Sequence, residues 1–309
     1  MHLATIAANG SSVAVVRLND GSLLEIAKAA SSLTDATATS LADGSLQSIV
    51  EGGPGVLDAV RKLVDEAQSG NHDDARHDVS TARFLPPLPK PRKNTFCVGR
   101  NYAEHIAEGD KAQNQKVGVT EHPVFFTKPP TAVIGSGADI PIFPTVSDCI
   151  DYEVELTLVM GKPGRNISRE DAYQHIFGYT IINDITARDI QRRHGGQYFK
   201  GKGLDGSCPT GPWIVTADAI ENPHDLAISL SVNGETRQNG STSDMIFDIP
   251  TLIESLSQGL TLEPGDMLAT GTPSGVGYAM DPPRYLKDGD TVVCEVEKIG
   301  RLENTMRTA

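Results

Sequence analysis

Apolar positions along this chain mostly come in short alternating or continuous runs, and helical spacing appears in only a few places. The runs at 3–8 and 13–18 flank Asn9-Gly10, a pair suited to a two-residue hairpin because both residues accept positive φ. Asn19, Asp20 and Gly21 supply a second turn before Leu23 and Leu24. Val56, Leu57, Val60, Leu63, Val64 and Ala67 fall on one side of a helix over 55–68. Pro86, Pro87, Pro89 and Pro91 then impose extended polyproline geometry. This predicts a small N-terminal domain over 1–84, a connection over 85–93 and a larger domain over 94–309.

In the larger part the runs at 96–98, 123–127, 152–160, 178–183, 213–216, 226–232, 267–270 and 291–296 read as strands. Two helices punctuate them. Ser168 with Asp171 forms the signature of a capped start, and Pro250 opens a helix that Gly259 closes. Strands outnumber helices, and no strand–helix alternation appears. A doubly wound or barrel α/β fold is therefore not expected. A mainly β core with a few covering helices, an α+β fold, is.

Composition narrows the partners. Among 309 residues, 27 Lys and Arg stand against 40 Asp and Glu, a formal charge of −13. That balance argues against nucleic acid, which is bound through a basic footprint, and against an anionic membrane surface. No apolar run of 18 residues and no basic leader pattern is present, so the expectation is a cytoplasmic protein without a membrane span. Cys97, Cys149, Cys208 and Cys294 form no C-x-x-C pair and read as scattered core residues.

The most informative stretch is Asp151-Tyr152-Glu153-Val154-Glu155-Leu156. Residues two apart on a strand share a face, so Glu153 and Glu155 point together while Val154, Leu156 and Leu158 point away. Two adjacent carboxylates raise each other's pKa. On a strand this apolar they are drawn inward, where they need a cation. Asp184 ends a second apolar run and supplies a third carboxylate. Glu153, Glu155 and Asp184 make an all-oxygen set suited to Mg²⁺ or Mn²⁺, with Ca²⁺ as a substitute.

His105 and Glu108 are three residues apart in a helix-permissive segment. A carboxylate beside an imidazole fixes its tautomer and raises its basicity, the arrangement of a general base. Gly109 and the polar run 110–115 predict a mobile lid. Lys200 and Lys202 stand among Gly201 and Gly203, glycines that allow close approach of a ligand, and a lysine there can hold a carboxylate or a developing enolate. The glycine-rich loop 271–277 lacks the Lys-Ser/Thr end of a phosphate loop and suits a backbone N–H cradle for a carboxylate.

Together these stretches resemble one family, the fumarylacetoacetate hydrolase superfamily. The matches are residues 98–102 with His105, 152–156, Asn183-Asp184 with 187–189 and Gln191, Gly201-Lys202, 233–247, 264–266 and 271–277, in family order over about 94–297. The segment 96–99 lacks the acid that completes the founding hydrolase's metal site, so the chain looks like the shorter acylpyruvase-like or diene-dioate isomerase-like branch. The resemblance implies a mixed β-sandwich roll, a homodimer and a metal on Glu153, Glu155 and Asp184. It also implies a water-activating His105 supported by Glu108, and substrate contacts from Arg188, Gln191, Lys202 and Thr272. Arg100, Tyr102 and Gly271, inside the matched stretches, are further substrate-binding candidates.

The expected activity is hydrolysis of a carbon–carbon bond in a 2,4-dioxo acid, an acylpyruvate, with His105 deprotonating the water and Lys202 stabilising the expelled enolate. The alternative is an isomerase or decarboxylase that passes through the same enolate in aromatic-compound catabolism. Either way the substrate is a small anionic 2-oxo acid. Tyr278, Met280 and Tyr285 are expected around its distal end.

Overall fold

The computed structural model describes every residue of the chain except 34, 35 and 115. Its spine is an eleven-stranded sheet. The order runs Arg76–His77, Leu23–Glu25, Ser11–Arg17, His2–Ala8, Ile214–Thr216, Ile176–Asn183, Val154–Met160, Met267–Ala269, Thr95–Gly99 and Val124–Lys128, with Arg83–Leu85 also paired to His2–Ala8. A second sheet orders Glu235–Ser241, Ala227–Val232, Thr291–Val296, Gly300–Thr308 and Asp139–Ile142. Most pairings are antiparallel, but Met267–Ala269 runs parallel to Thr95–Gly99, and Gly300–Thr308 parallel to Asp139–Ile142. This is the mixed-sheet architecture with few helices that the strand-rich pattern predicts.

The central strand Val154–Met160 is buried along its whole length. Alternate side chains go to two cores, as the two-residue period of a strand requires. Leu156 and Leu158 share one cluster with Ile181, Ile228, Leu230, Val292 and Leu302, between the two sheets. Val159 joins the other cluster, with Phe177, Ile214 and Met267 against Leu3, Val16, Leu24, Val60 and Leu63 of the N-terminal segment. A strand covered on both faces reads as a continuous apolar run.

The N-terminal hairpin forms as its turn residues dictate: Asn9 and Gly10 take φ of 50° and 77° between His2–Ala8 and Ser11–Arg17. The sheet crosses the boundary expected at 85–93, because His2 and Leu3 pair with Val215 and Ile214. The proline-rich segment is tied down along this seam: Leu88 is buried in the N-terminal cluster, and Thr5 Oγ1 donates to the Pro87 carbonyl at 2.7 Å.

Two expected helices have different outcomes. Ile249–Ser257 forms with Asp248 as its cap and Gly259 beyond its end. Ser168 and Asp171 do bond, at 2.9 Å, but they introduce only the short 3₁₀ turn Ala172–His175. The strand Ile176–Asn183 follows at once and draws the chain into the sheet. Three strands of four or more residues escape the sequence pattern: Asp139–Ile142, Glu235–Ser241 and Gly300–Thr308. All lie in the smaller sheet, and Glu235–Ser241 is an edge strand of polar residues and one glycine, with no apolar signal to read. Among the described residues no helix is long and apolar enough to cross a membrane.

Candidate active site

The strand ends Val154–Met160 and Ile176–Asn183 are antiparallel neighbours, with Val154 opposite Asn183. That register places Glu153, Glu155 and Asp184 at one end of the sheet. One carboxylate oxygen from each lies within 4.8 Å of the other two. All three residues are buried. The Asp184 N–H donates to the Glu153 carbonyl at 2.8 Å, and Asn183 Oδ1 accepts from the Glu153 N–H at 3.1 Å, so the backbone itself fixes the spacing.

Cations close around the triad. Lys202 Nζ lies 2.6 Å from both Glu153 Oε2 and Asp184 Oδ2. Lys128 Nζ lies 2.6 Å from Asp184 Oδ1 and also donates to the carbonyls of Ile185 and Lys202. Arg188 bridges Glu153 Oε1 at 2.7 Å and Asp151 Oδ2 at 2.8 Å. Lys202 comes from the single turn Phe199–Lys202, whose Gly201 packs on the backbone of Gln191. Gly201 therefore serves helix-to-helix contact with Arg188–Arg193, not approach of a ligand.

The expectation that both glutamates have raised pKa values holds for one of them. Burial opposes the charge of Glu153, but Lys202, Arg188 and then His105 hold its carboxyl well below the usual range. Among the described residues no cation forms an ion pair with Glu155; it accepts the Gly271 N–H at 2.8 Å. Burial, then Asp184 and Glu153, push it well above the ordinary carboxylate value. Burial also opposes the Lys202 charge, yet Asp184 and Glu153 hold that ammonium above its ordinary range.

Four buried carboxylates (Asp151, Glu153, Glu155, Asp184) thus face three buried cations (Lys128, Arg188, Lys202), one negative charge in excess. The donor set is all oxygen, and one member lacks a counter-charge. These residues fit a hard divalent cation. Carboxylate oxygens carry two lone pairs each, so those already bonded to Lys202 and Lys128 can still ligate.

His105 and Glu108 share one face of Ala103–Ala112, with Nδ1 2.9 Å from Glu108 Oε1. The other ring nitrogen, Nε2, lies 3.9 Å from Glu153 Oε1, at the lip of the triad. Glu108 is anchored in turn by the Gly275 N–H at 2.8 Å. The glycine-rich loop does cradle carboxylates through backbone N–H groups, but they are the protein's own: Gly271 holds Glu155, Gly275 holds Glu108, and Gly277 and Tyr278 hold Asp151. Gly271 has φ +98°, and a Cβ there would meet Asn101 Cβ at 2.9 Å.

A cavity of about 430 Å³ opens onto these groups. Among the candidates named from the sequence, its wall brings together Arg100, His105, Glu153, Glu155, Arg188, Gln191, Lys202 and Thr272. Tyr102 and Gly271 do not line it. Tyr102 is buried behind the loop with a hydroxyl that has no partner, and burial and then Glu155 push its pKa up. Of the three distal candidates, Tyr278 lines the cavity, while Met280 turns to Arg237 and Tyr285 sits against Cys149.

The lid also differs from expectation. The helix runs on through Gly109 to Ala112, and Asp110 is anchored by Arg100 Nη2 and the Gly118 N–H, both at 2.9 Å. Gly109 is there because a Cβ would lie 2.6 Å from the Tyr278 hydroxyl. The end of the expected run, Gln115, falls outside the described residues. Sequence reading missed Lys128, Asp151 and Gln238. Gln238 donates to Thr272 Oγ1 at 2.8 Å and accepts from the Val154 N–H at 3.0 Å, tying the loop to the central strand. Lys128 carried one readable signal, a charged residue ending the half-apolar strand Val124–Lys128.

Residues 94–307 match the model of the fumarylacetoacetate (FAA) hydrolase C-terminal family. The chain belongs to the fumarylacetoacetate hydrolase superfamily. It is 47% identical over 258 residues, 83% of this chain and 84% of the relative, to oxaloacetate tautomerase YisK of Bacillus subtilis (strain 168). Its fold matches the fumarylacetoacetate hydrolase of Exiguobacterium antarcticum with TM-score 0.80 and 37% identity, each chain covered in full. It also matches maleylpyruvate hydrolase of Sphingobium sp. SYK-6, solved with manganese(II) and pyruvate, with TM-score 0.77, 28% identity and full coverage of both chains. The chain is thus an enzyme of this superfamily, with a buried Glu-Glu-Asp site able to hold a divalent metal.

Proposed function

We propose that the enzyme interconverts the keto and enol forms of a small 2-oxo acid, with oxaloacetate as the first substrate to test. The observation that carries this reading is the His105–Glu108 pair, aimed across the cavity at the buried triad. Glu108 accepts from Nδ1–H, which leaves the Nε2 lone pair facing the cavity. There Nε2 takes a proton from C3 of the 2-oxo acid; the C–H electron pair forms the C2–C3 double bond, and the carbonyl pair moves to oxygen. Return of a proton from Nε2 to that oxygen completes the enol, and the reverse sequence regenerates the ketone. The Lys202 ammonium stabilises the negative oxygen as it develops. Glu153, Glu155 and Asp184 would hold a divalent ion, Mg²⁺ or Mn²⁺, whose Lewis acidity acidifies the C3 proton.

The likeness to YisK, named for oxaloacetate tautomerisation, favours this over the carbon–carbon hydrolysis expected from the sequence. Hydrolysis remains the second reading, supported by the likeness to maleylpyruvate hydrolase and by a cavity large enough for a water beside the acid. In it His105 deprotonates that water instead of C3. The test follows the enol absorbance of oxaloacetate and the products from a panel of acylpyruvates, with Mg²⁺ and with chelator. Tautomerisation faster than in buffer, dependent on metal and without bond cleavage, supports the proposal. Equal rates with and without metal overturn it, and release of pyruvate from an acylpyruvate with no tautomerisation turns it to hydrolysis.

A further inference from the structure

The cavity is lined by five cationic or potentially cationic side chains: Arg100, His105, Arg188, Arg192 and Lys202. Four are already committed to carboxylates. Arg100 pairs with Asp110, His105 with Glu108, Arg188 with Asp151 and Glu153, and Lys202 with Glu153 and Asp184. Among the described residues no carboxylate pairs with Arg192. Its neighbour Arg193, by contrast, is paired with Asp189.

Arg192 is not loose. It lies four residues after Arg188 on the helix Arg188–Arg193, so the two share a face. Its guanidinium carbon rests 5.0 Å from the centre of the Tyr278 ring, the ring that also carries Arg188 at 4.3 Å. Stacking on a ring face orders a guanidinium while leaving its in-plane N–H donors free. Arg188 is buried beside the triad, and Arg192, one turn further along, is exposed where the cavity opens. A 2-oxo acid seated with its reacting end at the triad therefore presents its far end to an ordered, uncommitted fork of donors.

We infer that Arg192 is a specificity-determining residue that receives the second carboxylate of a dicarboxylic 2-oxo acid. This rests on the 2-oxo acid reading above and sharpens it: the preferred substrate carries a carboxylate at both ends, and an acylpyruvate with an apolar tail is a poor fit. A carboxylate matches the guanidinium with two parallel N–H···O bonds, a geometry lysine does not reproduce.

The test is calorimetric titration of Mg²⁺-loaded wild type, Arg192→Met and Arg192→Lys with 2-oxoglutarate and 2-oxovalerate, which differ only in whether the tail ends in a carboxylate or a methyl. Wild type is expected to prefer the dicarboxylate. Arg192→Met is expected to lose about tenfold or more for 2-oxoglutarate, the scale of a hydrogen bond to a charged group, and less than about twofold for 2-oxovalerate. Arg192→Lys falls between. In kinetics with oxaloacetate the loss appears chiefly in KM. A wild type without preference for the dicarboxylate, or a variant that weakens both acids alike or neither, overturns the inference. A wild type that binds 2-oxoglutarate through Arg192 yet does not tautomerise oxaloacetate overturns the proposed reaction and leaves the subsite standing.

Discussion

Glu155→Gln is the sharpest perturbation this site offers, because its effect has opposite signs with and without metal. Glu155 is a buried carboxylate beside two others, with one backbone N–H as its only hydrogen bond among the described residues. Its pKa is raised well above the usual value by burial, then by Asp184 and Glu153. An acid whose folded pKa is raised binds its proton more tightly in the folded state than in the unfolded one. Stability in chelator is therefore complete below the unfolded value, about 4.3, and falls as pH rises above it until the folded pKa is passed. One group titrating this way costs about 1.4 kcal/mol per pH unit inside that window. Glutamine is neutral throughout and removes the slope.

Between pH 5 and pH 7 the stability of wild type relative to Glu155→Gln should thus fall in chelator, by up to roughly 2.7 kcal/mol, twice the per-unit figure, which is the ceiling set by one proton. His2 and His224, both with pKa lowered first by burial, add a pH dependence of opposite sign, but they are common to both proteins and cancel in the difference. The assay is urea unfolding at pH 5, 6 and 7 with chelator and with excess Mg²⁺. With Mg²⁺ the order reverses: wild type gains the binding free energy, which grows with metal concentration, and the variant loses a ligand and gains little. Parallel pH profiles for the two proteins in chelator refute the buried-acid reasoning. An equal gain from Mg²⁺ in both refutes the triad as a metal site.

Four further outcomes follow from other contacts. His105→Ala should lower turnover by about 10²–10⁴-fold, the usual worth of a general base, without abolishing Mg²⁺-dependent stabilisation; full activity would remove His105 from proton transfer. Lys202→Met should lower kcat by on the order of 10²–10³-fold, as when one preorganised donor is lost, read by steady-state kinetics. Lys128→Met strips Asp184 of a partner inside the protein and should cost about 3–5 kcal/mol of stability, checked by urea unfolding. Gly109→Ala drives a Cβ against the Tyr278 hydroxyl, so it should destabilise alone and be rescued in part by Tyr278→Phe; a double-mutant cycle with no coupling would show that the loop moves aside instead.

What sequence reading reached depended on whether the signal was local. The triad was legible because its members sit on or beside two apolar strands whose antiparallel register brings them together. The His105–Glu108 pair was legible because three residues make one helical turn. Asp151 stands beside Glu153 and accepts from the adjacent Tyr152 N–H, but the partners that bind it into the site, Arg188, Gly277 and Tyr278, are 37 or more residues away, and nothing local predicts that meeting. Gln238 escaped for the same reason: its bonds to Val154 and Thr272 span 84 and 34 residues. The glycine-rich loop was read with the right chemistry and the wrong ligand, because a pattern of glycines announces exposed N–H groups without saying whose carboxylate they meet. Arg188 shows the limit most plainly. An arginine in a matched stretch suggests a grip on substrate; it lines the cavity, but its Nε and Nη2 are held by Asp151 and Glu153, while Nη1 meets Gln191 at 3.3 Å.

Those ion pairs bear on how an acidic protein would bind the anionic 2-oxo acid proposed above. The net charge of −13 repels anions at a distance. Within the buried cluster one negative charge remains after the lysines and Arg188 are counted, and burial, then Asp184 and Glu153, raise the proton affinity of Glu155, the acid without an ion-pair partner among the described residues. A divalent ion would displace a proton bound there and turn the local balance to one positive charge. The first carboxylate of the proposed 2-oxo acid would neutralise it, and a second carboxylate would then meet inner cations whose charge the protein's own carboxylates already match. If that accounting is right, affinity for the first carboxylate should depend on metal and on Glu155, and affinity for the second on Arg192. Changes at 155 and 192 should then be close to additive in binding free energy for a dicarboxylate. Strong coupling between them would mean that the two ends of the ligand are not recognised separately, and the division of labour drawn from the ion pairs would fall.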